Sequence, residues 1–317
     1  MIRLISPRRL EELGILGMNR RNIGFIGQYN ARRNYRLVDD KLQTKRAALE
    51  RAIPVPRLLG VIERQHEIRG MARKLESLDQ GFVIKPAQGS GGKGILVIIR
   101  REGDRFIKSS GVEIDAGEIR RHTSNILAGL HSLGGRNDRA MLEALIDFDP
   151  CLADYSYEGV PDIRVIAFRG VPVMAMMRCA THVSDGKANL HQGAVGVGLD
   201  IATGRSIRAV QFGRLVHRHP DTGANFEELR IPHWDRILDL AASCIDMTGL
   251  GYIGADIVLD RQQGPMLLEL NARPGLAIQV ANQAGLRHRL SIAREIADET
   301  DDHERKIELA RLRFAVG

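Results

Sequence analysis

The segment Gln88-Gly89-Ser90-Gly91-Gly92-Lys93-Gly94 constrains the fold more than any other stretch, because of what stands on either side of it. Phe82-Val83-Ile84-Lys85 precedes it and Ile95-Leu96-Val97-Ile98-Ile99 follows, both β-forming runs. Gly89 to Gly94 matches G-x-G-x-x-G. A dinucleotide-binding fold, however, needs a helix after the last glycine, since the helix N-terminus carries the pyrophosphate. A β-branched run in that place argues against it. A Walker A loop fails too: Gly92-Lys93 is followed by Gly94 rather than Ser or Thr, and position 87 is alanine. A glycine flap between two antiparallel strands fits better, its backbone amides closing over phosphates with no side chains in the way. Lys85, on the strand entering the flap, then places an ammonium beside those phosphates. A flexible hairpin loop with a solvated lysine is the competing reading.

A second constraint lies near the C-terminal end. Two apolar runs, Ile253 to Leu259 and Met266 to Leu270, flank Gln262-Gln263-Gly264. With Gln262-Gln263 as a two-residue turn, Arg261 faces Gly264, and counting back sets Asp256 opposite Glu269. Their side chains share one sheet face with Asn271, two residues on. Each acid interrupts an apolar strand. Two facing acids without a basic partner repel, so a hard cation is the natural compensation. Asp, Glu and Asn oxygens suit Mg2+, with water and phosphate oxygens completing the shell. Two exposed acids on an edge hairpin form the rival reading, and Pro265 leaves the register open by one residue.

The remaining sequence reads as mixed α and β. Residues 1 to 40 are Arg-rich and irregular. A helical pattern then puts Lys41, Lys45, Leu49 and Ile53 on one face, and Ile53-Pro54-Val55-Pro56 ends it. Lys41 and Lys45 also read as a plain solvated helix face. Residues 115 to 133 are expected as a helix and 141 to 146 as a short strand. Ile163 to Phe168 and Val171 to Met177 are expected as a hairpin split by Arg169-Gly170. Asp185 to Gly198 is a loop region, His233 to Thr248 a helix, and the charged tail beyond Gly285 has helical spacing. For Arg178 a bland structural role reads at least as well as a catalytic one.

A chain of 317 residues, 44% hydrophobic and 27% charged, suits a soluble globular protein of two lobes. The net charge of +7 favours anionic partners without choosing among nucleotides, acidic amino acids, nucleic acid or a membrane surface. With 4% aromatics and a single Trp234 there is no base-stacking platform, so nucleic acid is not the expected partner. Scattered Cys151, Cys179 and Cys244 imply a reduced compartment. No apolar run has the length of a membrane span and no secretory signal is visible, so a cytoplasmic protein is expected.

Taken in order, these pieces resemble the ATP-grasp superfamily. Asp40-Lys41, Pro161-Asp162-Ile163-Arg164, Asn189-Leu190-His191-Gln192-Gly193 and Glu269-Leu270-Asn271-Ala272-Arg273-Pro274-Gly275 are most similar to α-L-glutamate ligases, the ribosomal-protein glutamate ligases among them. The resemblance covers roughly residues 39 to 285. It implies an α+β ATP-grasp fold, two lobes with nucleotide bound between them. It further implies that Lys41 and Lys85 contact ATP phosphates and that Ser90, Gly91, Gly92, Lys93 and Gly94 cover them. Glu143 and the backbone of Ala144 and Leu145 hold adenine, and Asp162 takes the ribose hydroxyls. Arg164, Lys187 and Asn189 face the phosphate and the acyl intermediate, and Arg273 meets a substrate carboxylate. Asp256, Glu269 and Asn271 hold Mg2+, with Mn2+ as a substitute.

The expected division is an Arg-rich segment 1–40, an N-terminal lobe 41–142 with the flap, a C-terminal lobe 143–285 with the metal site, and a helical tail 286–317. The implied activity is ATP-dependent ligation of a small-molecule acid, glutamate or a similar amino acid, to an amine acceptor through an acyl phosphate. One rival is ligation of another acid or of a cell-envelope precursor; another is a nucleotide-dependent regulatory or RNA-binding protein. Such ligases typically carry an α/β domain before the Asp-Lys helix, and only 40 residues precede Lys41. A homo-oligomer or a partner protein is therefore expected to complete the acceptor site.

Overall fold

A computed structural model describes residues 5–316 apart from 77, 79, 90 and 133. The chain forms two compact units, one of residues 40–46 and 55–147, the other of residues 1–39, 47–54 and 148–317. The segments expected to stand apart, 1–40 and 286–317, fall almost wholly within the second of these. Among the described residues no helix is long and apolar enough to cross a membrane.

The smaller unit is built on a six-stranded sheet: β1 Leu58–Ile62, β2 Phe82–Pro86, β3 Leu96–Glu102, β4 Arg105–Lys108, β5 Glu113–Ile114 and β6 Ala140–Ala144. The order is β1-β6-β2-β3-β4-β5, with antiparallel neighbours throughout. Pairing of Phe82 with Ile98 and Ile84 with Leu96 makes the glycine segment the connection between antiparallel β2 and β3. Phe82, Ile84, Ile98 and Phe106 join Ile119 and Ile126 of the helix Ala116–Leu127 in one core. That helix starts where Asp115 accepts from the Glu118 amide and Glu118 accepts from the Asp115 amide, a reciprocal cap.

The larger unit carries a seven-stranded antiparallel sheet: β7 Asp162–Phe168, β8 Val171–Cys179, β9 Val195–Leu199, β10 Ser206–Gln211, β11 Arg214–Val216, β12 Tyr252–Asp260 and β13 Gly264–Asn271. Its order is β11-β10-β9-β8-β7-β12-β13. Every residue of β7 and β12 is buried, which explains their near-continuous apolar sequence and makes each charge in them costly unless paired. The helices Trp234–Thr248, Leu286–Glu299 and His303–Phe314 pack on this sheet. Arg169 and Gly170 turn β7 into β8 with φ of 50° and 84°, the positive pair that a two-residue hairpin requires.

The N-terminal residues build no core of their own but enter this one. Leu16, Phe25, Ile26 and Val38 are buried. The Asn30 amide donates to the carbonyls of Tyr252 (2.8 Å) and Ala272 (3.3 Å), and Arg21 donates to Pro274 O at 2.8 Å.

Candidate functional site

Each unit holds a cluster of buried charge. In the smaller, the helix Lys41–Glu50 begins at Asp40, whose Oδ1 accepts from the amides of Leu42 (3.1 Å) and Gln43 (3.2 Å). Arg139 closes on the other oxygen of Asp40. This cap fixes the helix against the flap region: the Lys41 amide donates to Ala87 O at 2.8 Å, and Lys41 Nζ donates to Gly89 O at 2.6 Å. Lys45, one turn on, is only 5% exposed. The solvated-face reading is thus wrong for Lys45, while Leu49 of the supposed same face is exposed.

Lys45 is buried because a carboxylate awaits it. Glu143, on β6, has one oxygen 2.7 Å from Lys85 Nζ and the other 2.9 Å from Lys45 Nζ. Lys45 also donates to Pro56 O. The Lys45 contact lies off the line of a hydrogen bond, so Glu143 Oε1 is ion-paired yet accepts no hydrogen bond. Burial pushes the Glu143 carboxyl up, but Lys85 and then Lys45 outweigh it and hold the group below its ordinary range. Burial lowers the Lys45 ammonium in turn, against the pull of Glu143.

The flap begins one residue after β2. Gly91, Gly92 and Gly94 have φ of 63°, 74° and 75°, and a Cβ at Gly94 would stand 2.5 Å from the His131 ring. His122 Nε2 lies 3.0 Å from Gly94 O and so ties the far end of the loop down. Lys93 is exposed, and Ser90 lies outside the described residues. The amides of Ala144 and Leu145, expected near adenine, already donate to Arg57 O (2.9 Å) and Gly81 O (3.1 Å). Only their carbonyls remain for a base to meet.

In the larger unit the register of β8, β7, β12 and β13 gathers the second cluster on one sheet face. Asp162 pairs with Arg178, Asp256 with Arg164 on one side and with Glu269 on the other, and Asn271 stands two residues along. The opposition of Asp256 and Glu269 is as counted, though by another route. The turn has three residues, Asp260 facing Gly264, and a bulge at Leu268 restores the count.

The acids do have basic partners, contrary to expectation, and these come from β7 and β8. Arg164 donates to both oxygens of Asp256 at 2.7 and 2.6 Å. Arg178 bridges two acids, donating to Asp162 at 2.5 and 2.6 Å and to Asp256 Oδ2 at 2.7 Å. Asn271 donates to Asp256 Oδ2 at 3.2 Å through its amide nitrogen, which leaves its amide oxygen as an acceptor. Burial raises both aspartates. Arg164 and Arg178 still hold Asp256 below its usual range, whereas Asp162, also facing the charge of Asp256, is pushed up to about 6. Both of its oxygens accept from Arg178, which ties Asp162, expected to take the ribose hydroxyls, to the cluster around Asp256.

The donor set fits a hard cation that keeps open coordination positions. Asp256 Oδ2 accepts three hydrogen bonds and Oδ1 one, and Glu269 and Asn271 carry further oxygens on the same sheet face. Among the described residues no three His, Cys, Asp or Glu side chains converge. A closed protein cage is therefore not formed, and Mg2+, which retains waters and phosphate oxygens, does not need one.

The other expected residues lie elsewhere in the larger unit. Lys187 pairs with Asp185 at 2.7 Å, and the Asn189 side chain accepts from the His191 amide at 3.0 Å, capping a short turn. Arg273 is exposed and stacks on Tyr35, 4.7 Å from the ring centre. Lys45 and Arg178 are the members of the two charged clusters that local reasoning missed. Counting about the Arg169-Gly170 turn would set Asp162 opposite Met177; a one-residue shift at Val173 brings Arg178 there instead, so spacing alone did not reach it.

No curated protein matches the chain in sequence. Solved structures similar to it include the ATP-grasp ligase PsnB complexed with minimal precursor (14% identity, 89% of this chain and 63% of that one, TM-score 0.45). D-cycloserine synthetase DcsG is similar over 88% of this chain and 71% of its own, with 14% identity and a TM-score of 0.46. D-alanine–D-alanine ligase from Bacillus anthracis, complexed with ATP, is similar over 89% of this chain and 66% of its own, at 13% identity and a TM-score of 0.44. The chain thus spans less than two thirds of the PsnB length. The model of the sugar-transfer associated ATP-grasp family matches residues 20–295, most of the sequence; the protein has the ATP-grasp fold and belongs to that family.

Proposed function

We propose that the protein is an ATP-dependent carboxylate–amine ligase working through an acyl phosphate. The observation that carries this is the face shared by Arg164, Arg178, Asp256, Glu269 and Asn271, where cationic forks and hard oxygen donors alternate within hydrogen-bonding reach. In the first step a substrate carboxylate oxygen bonds to the γ-phosphorus of ATP as the bond to the β-phosphate oxygen breaks, releasing ADP. In the second an amine attacks the acyl carbon, loses a proton, and phosphate departs. A cation held by Asp256, Glu269 and Asn271 would supply charge neutralisation for the phosphates. Lys41, Lys85 and the amides of Gly91 to Gly94 stabilise the phosphate chain, and Arg164 serves the transferring group. Glu143 Oε1, buried with no hydrogen-bond donor, fits the exocyclic amine of adenine.

Lys187 and Arg273 are exposed, so a labile acyl phosphate near them needs a further surface to exclude water. A second copy or a partner protein in that role belongs to the same proposal. Glutamate or a similar amino acid is the first candidate acid. The sugar-transfer association of the family favours a second reading, an acid or acceptor on a cell-envelope precursor.

The test is ADP release with Mg2+ and ATP across a panel of acids, with hydroxylamine in place of the amine. A hydroxamate that depends on ATP and on one acid is the expected outcome; ATP consumption that gives none with any productive acid would refute the acyl phosphate.

A further inference from the structure

We propose that Lys45 is a positioning residue that sets the net charge of the Lys45–Glu143–Lys85 cluster at +1, and that this surplus recognises the phosphate chain of the nucleotide. The inference rests on the nucleotide-binding reading above and deepens it. Lys85 at 2.7 Å from Glu143 would alone form a closed, neutral pair, with its ammonium largely spent on a protein carboxylate. Lys45 brings a second ammonium to the other oxygen of the same carboxylate. One negative charge is then shared between two positive ones.

The surplus cannot dissipate into solvent. Lys45, Lys85 and Glu143 are 5%, 6% and 3% exposed, so water screens them poorly. Nor can Lys45 swing out: its helix is fixed by the Asp40 cap, Leu42 and Thr44 beside it are buried, and Pro56 O takes one of its protons. Among the described residues Glu143 is the one carboxylate ion-paired to either lysine. The charged neighbours on the same helix start do not alter the sum, since Asp40 is paired with Arg139. Lys41 Nζ donates to Gly89 O, where the flap begins. An anion with several oxygens, a di- or triphosphate, is the ligand such a cluster suits.

The test is calorimetric binding of ADP, with Mg2+, and of adenosine to the wild type and to Lys45→Met, Lys45→Arg, Glu143→Gln and the double variant Lys45→Met/Glu143→Gln, each checked for folding by circular dichroism. Loss of one charge in Lys45→Met should weaken ADP about tenfold and leave adenosine unchanged. Lys45→Arg should bind ADP like the wild type. The double variant removes one charge of each sign, restores +1, and should return the ratio of ADP to adenosine affinity to within about threefold of the wild type. Should Lys45→Met not fold, Glu143→Gln decides: because Glu143 also meets adenine, the reading is the ratio of ADP to adenosine affinity, which its +2 cluster should raise above the wild-type ratio. The proposal falls if Lys45→Met binds ADP normally, if the double variant's ratio of ADP to adenosine affinity is no better than that of Lys45→Met, or if Glu143→Gln lowers that ratio. A wild type that binds no nucleotide overturns the nucleotide reading itself and this inference with it.

Discussion

The two charged clusters are built from the same materials to opposite ends. In the smaller unit two lysines share one glutamate, a carboxylate surrounded by ammoniums. In the larger, two arginines and two aspartates cancel. One is left positive and suits an anion; the other is balanced by its own side chains. The choice of base follows. Lysine offers a point charge whose protons can turn from Glu143 to a phosphate oxygen, whereas the arginine fork locks Asp162 and Asp256 in plane and holds them for a fixed purpose.

Breaking the neutral cluster should have the largest effect. Asp256 is 2% exposed and serves two guanidiniums, so Asp256→Asn leaves buried positive charge unpaired and should cost about 3 to 5 kcal/mol of stability. Chemical denaturation of the larger unit measures this. An unchanged midpoint would mean that the arginines find solvent when freed. Lys85→Met strikes the other cluster. It should slow turnover by a factor on the order of 100 or more while the protein stays folded; ADP release at saturating acid and amine is the measurement, and an unchanged rate would return Lys85 to a structural role.

A milder change separates metal from fold. Glu269 lies opposite Asp256 but is only half-buried, so Glu269→Gln should remain folded and raise the Mg2+ concentration needed for half-maximal activity roughly 10- to 100-fold. Full activity at ordinary Mg2+ would remove Glu269 from the metal site. From the sequence alone, Asp256→Asn and Glu269→Gln look like equivalent shape-preserving changes; the arginines make them different experiments.

That difference shows where the sequence was legible. Strand pairing within a hairpin is local, so Asp256 and Glu269 could be set face to face by counting, and two departures cancelled: a third turn residue and the extra Leu268. The glycine flap was legible for a similar reason, because β2 and β3 follow each other directly. Non-local pairing was not. Arg164 reaches Asp256 across 92 residues, through β7 lying next to β12, and no spacing in the chain announces that neighbour. Lys45 could equally be read as part of a solvated helix face, because charge by itself suggests exposure. Its burial depends on Glu143, nearly a hundred residues later, and on Lys85 from a third segment. Local periodicity finds the faces of elements; it does not find which charge waits on the facing element.

The smallest effect expected is a pair of opposite responses to acid. Glu143 is held below its ordinary range, so the folded chain binds its proton less readily than the unfolded chain does. Its contribution to stability is complete above the unfolded carboxylate value, near 4.3, and is lost as pH falls through the folded value. Asp162 behaves the other way. Its ordinary value of 3.8 is pushed up to about 6, so between those two pH values the folded form holds a proton that the unfolded form has released. Stability from this group therefore falls as pH rises from 3.8 towards 6. Urea unfolding at about half-unit pH steps across that window tests both signs. Asp162→Asn should remove the loss on going from acid to neutral pH, a change on the order of 1 to 3 kcal/mol across the window. Glu143→Gln should instead flatten the acid limb below it. If both variants shift the curve in the same direction, the two clusters do not differ electrostatically as their geometry requires.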